Sequence, residues 1–99
     1  MADIFTLESF SEHANTEFRM HYGQSQTADL KLESVNDLNS TPRQIQFSVV
    51  FLGPLDAPIY QGVYRLDHEK LGPLDLFLVP ISKDKDGVRY QAIFNRFVE

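Results

Sequence analysis

The sequence predicts a mainly β protein, a small six-stranded antiparallel barrel or two-layer sandwich with one short N-terminal helix. Three observations carry this reading. Six stretches alternate apolar and polar residues with the period of two that sends successive side chains to opposite faces of a strand. Short turn-forming segments separate most of them, so chain neighbours pair antiparallel. Only one stretch, near the N-terminus, has helical spacing. With 99 residues, the chain has the length of a single domain, 1–99.

The helix is expected at about residues 6–14, within "FTLESFSEHAN". Thr6 is its candidate N-cap, Glu8 and Glu12 suit its early turns, and Leu7, Phe10 and Ala14 share a face. Asn15 tolerates the left-handed backbone that ends helices. "TEFRMHY" then reads as a half-buried strand with Phe18, Met20 and Tyr22 inward, and "GQSQT" as a polar turn. In "ADLKLESVNDL", Leu30 and Leu32 are in phase but Val35 is one residue late, which places a bulge near Glu33 or Ser34.

After the break "NSTP", the strand "RQIQFSVVFL" points Ile45, Phe47, Val49 and Phe51 inward. Val50 and Leu52 make its far end apolar on both faces, as if a helix or loop lay over it. "GPLDAPIYQG" is a Pro- and Gly-rich connection longer than a hairpin loop. "VYRLDH" carries Tyr64, Leu66 and His68 on one face, and "EKLG" turns the chain back. In "PLDLFLVPI", Leu74, Leu76 and Leu78 lie on one face and Phe77, Val79 and Ile81 on the other, so burial on both sides is expected, by the interior and by the helix. "SKDKDG" is the last turn, and "VRYQAIFNRFV" closes the chain with Val88, Tyr90, Ala92 and Phe94 inward.

Composition narrows the function classes. The chain has 42% hydrophobic residues, eight Phe and four Tyr, enough for a core without disulfides, and no cysteine for thiolate chemistry. Its net charge of −5 is spread along the chain and its nine Lys and Arg are scattered singly, so neither nucleic acid nor an anionic membrane is an expected partner. No basic leader with an apolar run and no stretch of some 18 apolar residues occurs, and the expected location is cytoplasmic. A six-stranded barrel fills its interior with side chains, since about eight strands are needed to hold a small ligand. Binding is therefore expected on the outside.

Chemistry-bearing residues are few. His68, flanked by Asp67 and Glu69, could be a general base or metal ligand, or a strand-end histidine bonded to a turn carbonyl. His13 and His21 lack the spacing of a helical zinc motif, and no metal site is expected from them. Asp84 and Asp86 before Gly87 superficially resemble half a calcium loop but lack its remaining ligands, and Asp-Gly suits a tight hairpin. Ser48 and Ser82 sit in no nucleophile elbow, there is no phosphate loop, and no cofactor is expected.

In the Gly53–Gly62 connection, Pro54 and Pro58 stiffen a segment bearing Ile59 and Tyr60. These either fold over an open end of the barrel or form a preorganised contact surface. The preferred reading is a non-enzymatic interaction or structural module that docks through an edge strand or this loop onto a protein partner or onto itself. The competing reading is a small hydrolase or metal-dependent enzyme centred on His68.

The chain also resembles a bacterial family of roughly 100-residue proteins, a domain of unknown function. The pattern is Gln61-Gly62, Tyr64, Leu66, His68, Leu71-Gly72, the run Leu76 to Pro80, Gly87, Tyr90 and Phe94-Asn95. Looser matches precede it at Leu7, Phe10, Phe18, Phe47-Ser48, Phe51 and Gly53-Pro54. Asn15 stands where a helix-ending Gly is expected. The resemblance lends no catalytic residues. Some members lie beside phage-tail-like genes, an association that implies a larger bacterial assembly without a mechanism.

Overall fold

The computed structural model describes residues 7–38 and 41–97, and for 96–97 the backbone alone. The elements are α1 (Leu7–Glu12), β1 (Glu17–Tyr22), β2 (Gln26–Asp37), β3 (Gln44–Gly53), β4 (Gly62–His68), β5 (Gly72–Asp84) and β6 (Gly87–Phe97). The expected N-cap Thr6 and part of the "NSTP" break lie outside the described residues.

All six strands are antiparallel and close in a ring in the order β1-β2-β3-β6-β5-β4. Two strands turn the corners. β2 pairs with β1 through residues up to Lys31 and with β3 from Lys31 onward, and its register shifts between Leu32 and Ser34, the bulge that the late Val35 predicts. β5 pairs with β4 up to Leu78 and with β6 from Val79, with a second shift between Pro80 and Ser82. A bulge adds a residue on one side only and sharpens local twist, which lets one strand bend as it passes from one neighbour to the next. Of the two expected arrangements, the strands take the closed one, a single sheet that meets itself in a ring without being a regular barrel. Pro80 is tolerated mid-strand because it sits at that irregularity.

The inward sets are those the alternation picks out: Phe18 and Met20, Leu30 and Leu32, Phe47, Val49 and Phe51, Leu66, Leu74 to Leu78 in alternation, and Val88, Tyr90 and Ala92, all buried. Side chains fill the interior.

The helix differs from expectation in length and place. It ends at Glu12, followed by tighter bonds from the His13 and Ala14 amides to the Phe10 and Ser11 carbonyls, and Asn15 then takes φ 68°. The Asn15 amide donates to the Leu32 carbonyl at 2.7 Å, and the Leu32 amide to the Thr16 carbonyl at 3.0 Å, which ties the helix exit to β2. Phe10, fully buried, packs on Phe94 and Phe47 with ring centroids 5.3 and 6.0 Å away. The helix therefore plugs one end of the ring and does not cover the outer face of β5. That face stays open, with Phe77 53% and Ile81 49% exposed. Alternation with two apolar faces does not separate a doubly buried strand from one whose outer face is left bare.

Candidate functional site

The end of the ring opposite α1 is crossed by the β3–β4 connection. Because β3 and β4 are not neighbours in the ring, the chain must bridge the opening, which explains why this link is longer than a hairpin loop. The Ala57 amide donates to the Pro54 carbonyl at 3.1 Å, and Ala57 itself is tucked into the core. Two tyrosine hydroxyls then hold the second half of the loop. Tyr90, rooted in β6 and buried, donates to the Pro58 carbonyl, and Tyr64 of β4 donates to the Tyr60 carbonyl at 2.5 Å. Burial, with Tyr64 and Tyr22 nearby, pushes the Tyr90 hydroxyl up to about 12, and burial also raises Tyr64. Both are therefore firm donors at neutral pH.

Of the residues expected at this site, Ile59 and Tyr60 do not fold over the opening. They point outward, 54% and 75% exposed, while Pro54 is exposed and Pro58 half-buried. Sealing the end falls to Ala57, a small residue whose alanine side chain carries no periodic signal. Further apolar residues are exposed nearby in sequence or on the adjoining ladder: Leu55 on the loop, and Val63 and Phe77, directly opposite each other on β4 and β5. Alternation already places Val63 on the outer face of its strand, which is the signal that finds it.

His68 lies at the other end, beside the helix exit, and is buried. Its Nδ1 accepts from the amides of Lys70 and Leu71 at 3.0 and 3.2 Å. Two donors on Nδ1 leave the proton on Nε2, which lies 2.9 Å from Thr16 Oγ1 and donates to it; Thr16 Oγ1 in turn donates to the His13 carbonyl at 2.5 Å. The turn partner is thus a pair of amides and not a carbonyl. The ring also packs on Phe18 and His13, with centroids 4.4 and 4.7 Å away. Burial, then the neighbouring His13, lowers the His68 pKa. Neither nitrogen offers a free lone pair to a metal or a substrate proton.

Asp67 turns away from His68, whereas Glu69 lines the depressions beside it and its charge opposes the lowering of the His68 pKa. Asp67 faces the outer sheet surface, where its Oδ2 lies 2.5 Å from His21 Nε2 and its Oδ1 3.7 Å from Arg65. Arg19 pairs with Asp29 at 3.4 Å on the same face. Depressions of about 360 and 440 Å³ flank His68, one against Arg19 and His21 and one against His13 and Lys70. Among the described residues, no three His, Cys, Asp or Glu side chains come together as a metal site. Asp84 Oδ1 accepts from the Asp86 amide at 2.9 Å, and Arg89 bridges Glu33 and Asp84 at 2.8 and 2.9 Å, so these carboxylates shape a hairpin. Ser48 is buried on the outer side of β3, and Ser82 is exposed just past the β5 bulge.

The fold and its loop-capped surface define a small antiparallel β domain with an apolar outer patch and a histidine-anchored helix exit. The chain belongs to the DUF6916 family, a domain of unknown function, whose model matches residues 5–94. No curated protein and no solved structure matches it. Among the described residues, no helix is long and apolar enough to cross a membrane.

Proposed function

We propose that the protein is a non-enzymatic docking module that binds a protein partner, or another copy of itself, through the Gly53–Gly62 loop and the adjoining outer face of β4 and β5. The setting we propose is a larger bacterial assembly of phage-tail-like type, in the cytoplasm. One observation carries the reading: Tyr60 is 75% exposed yet stands on backbone fixed by the Tyr64 hydroxyl. An aromatic carried on held backbone loses less conformational freedom on binding than one on a loose loop, which suits an interface anchor. Its neighbours Ile59, Val63 and Phe77 are each more than half exposed. Ring closure gives each strand two neighbours, so the loop face takes precedence over edge addition as the docking route.

Catalysis or metal binding centred on His68 has less support, because both ring nitrogens are already bonded. The exposed arginines Arg19 and Arg65 are paired with carboxylates, which argues against phosphate binding. The test is site-specific photo-crosslinking in the native cells, with the reactive residue at position 60 or, as a control, at the exposed Lys83. A discrete crosslinked protein from position 60 alone is expected. Equal labelling from both positions, or none from position 60, counts against docking through this surface.

A further inference from the structure

We infer that the partner of this surface is a second copy of the chain, seated on the outer face of β4 and β5 about a two-fold axis running between those strands and parallel to them. The inference rests on the docking reading above and names its occupant. The ladder puts Val63 directly opposite Phe77 and, one outward-facing row along, Arg65 directly opposite Asp75. All four are on the outside, Val63 69% and Phe77 53% exposed, with Arg65 and Asp75 also exposed.

Rotation about an axis between two strands and parallel to them leaves each row at its own height and exchanges its two members. A copy placed face to face therefore sets Val63 against the partner's Phe77, and Arg65 against the partner's Asp75. Each contact occurs twice. An apolar row next to an opposite-charge row is thus complementary to itself under this rotation, as an isologous interface requires. A row with the same charge on both strands would repel its copy. In the next row, Asp67 meets the partner's Pro73 and keeps its own His21 and Arg65.

The strand face alone is small. Seven paired rows at about 3.3 Å each, two strands wide at about 4.8 Å spacing, span only a few hundred Å², below the roughly 800 Å² per partner of a stable interface. Ile59 and Tyr60, which precede Gly62 at the end of this ladder, extend the apolar area beyond the Val63–Phe77 row. Aligned sheets pack within about 30° of each other, and the rotation keeps each row at its own height whatever the twist.

The experiment is sedimentation velocity of the full chain over a range of concentrations, for the wild type, Arg65→Asp, Asp75→Arg and an equimolar mixture of the two variants. The wild type is expected to dimerise. Each single reversal places like charges across the axis twice and weakens self-association by roughly tenfold or more. The mixture restores a dimer, because the reversed position 65 of one chain faces the reversed position 75 of the other. Charge changes within one chain cannot produce that rescue. Phe77→Ser, with an unchanged melting temperature, is expected to leave a monomer.

A wild type that stays monomeric overturns the inference, as does a dimer indifferent to both reversals and to Phe77→Ser. If that monomer still crosslinks a different protein from position 60, the docking reading survives and only the choice of partner fails. If it crosslinks nothing, both fail.

Discussion

Nε2 of His68 lies 2.9 Å from Thr16 Oγ1, a bond between residues 52 positions apart that joins the start of the β4–β5 turn to the exit of α1. The same ring takes two amides of that turn on Nδ1. Protonation would place a hydrogen on Nδ1 facing two N–H donors, so the latch holds only with a neutral ring.

The pH dependence follows with a definite sign. The folded protein holds the His68 pKa below the ordinary 6.5, so the unfolded chain takes up the proton first as pH falls. This contribution to stability is complete above about 6.5 and is lost as pH falls from there through the lowered folded value. Urea unfolding from pH 8 down to pH 5 should show a loss that His68→Asn reduces, since an Asn side-chain oxygen accepts the same turn amides without titrating. Equal pH profiles for the two proteins would place the effect elsewhere.

Removing the Tyr90 hydroxyl frees the Pro58 carbonyl. Tyr90→Phe should cost about 1 kcal/mol and accelerate proteolysis within residues 53–62 while leaving the strands protected. Because the folded pKa is about 12 against an ordinary 10.0, the wild type should also lose stability as pH rises from 10 toward 12. That alkaline loss should be smaller in the phenylalanine variant. A loop cut no faster in the variant would show that the bond does not hold it.

Two glycines give opposite expectations. At Gly87, φ is +136° and an added Cβ would lie 1.9 Å from the Gly53 carbonyl oxygen, so Gly87→Ala should destabilise by about 3 kcal/mol or more. At Gly62 nothing lies within 4 Å of an added Cβ, and Gly62→Ala should be neutral or stabilise by about 0.4–1 kcal/mol. Thermal melts of the two variants check both.

Phe10→Ala should cost about 3–5 kcal/mol, because the buried ring packs at the end of the core against the stacked pair Phe47 and Phe94. Near-ultraviolet circular dichroism should change with it, since three packed aromatic rings lose one member. A loss below about 1 kcal/mol would mean that α1 is not the plug described.

Strand positions were legible because Phe47, Val49 and Phe51, or Leu74, Leu76 and Leu78, need only one buried face and a period of two. The β2 bulge was legible for the same reason, as a phase slip between Leu32 and Val35. The β5 bulge was not, since apolar residues on both of its faces hide a slip. Where α1 docks depends on which ring opening is left free, a property of the closed topology and not of the helix's own residues. The loop was recognisable as a special segment from its prolines, but the anchors that aim Tyr60 outward come from Tyr64 and from Tyr90, residues of two other segments. His68 was recognisable as inward-facing; which atoms its nitrogens meet was decided by backbone amides, which sequence patterns do not encode.

The crossing at residues 53–62 divides the ring into two three-strand meanders that are structural twins. Their strands run 6, 12 and 10 residues in the first and 7, 13 and 11 in the second, and each has its register shift in the middle strand. The twins meet along two unequal seams, ten residue pairs between β3 and β6 but three between β1 and β4. The short seam is the weaker of the two joints. Cooperative opening should begin there and spread outward while β3 and β6 keep the halves together, and a chain severed in the crossing loop should yield two fragments that reassemble along the long seam.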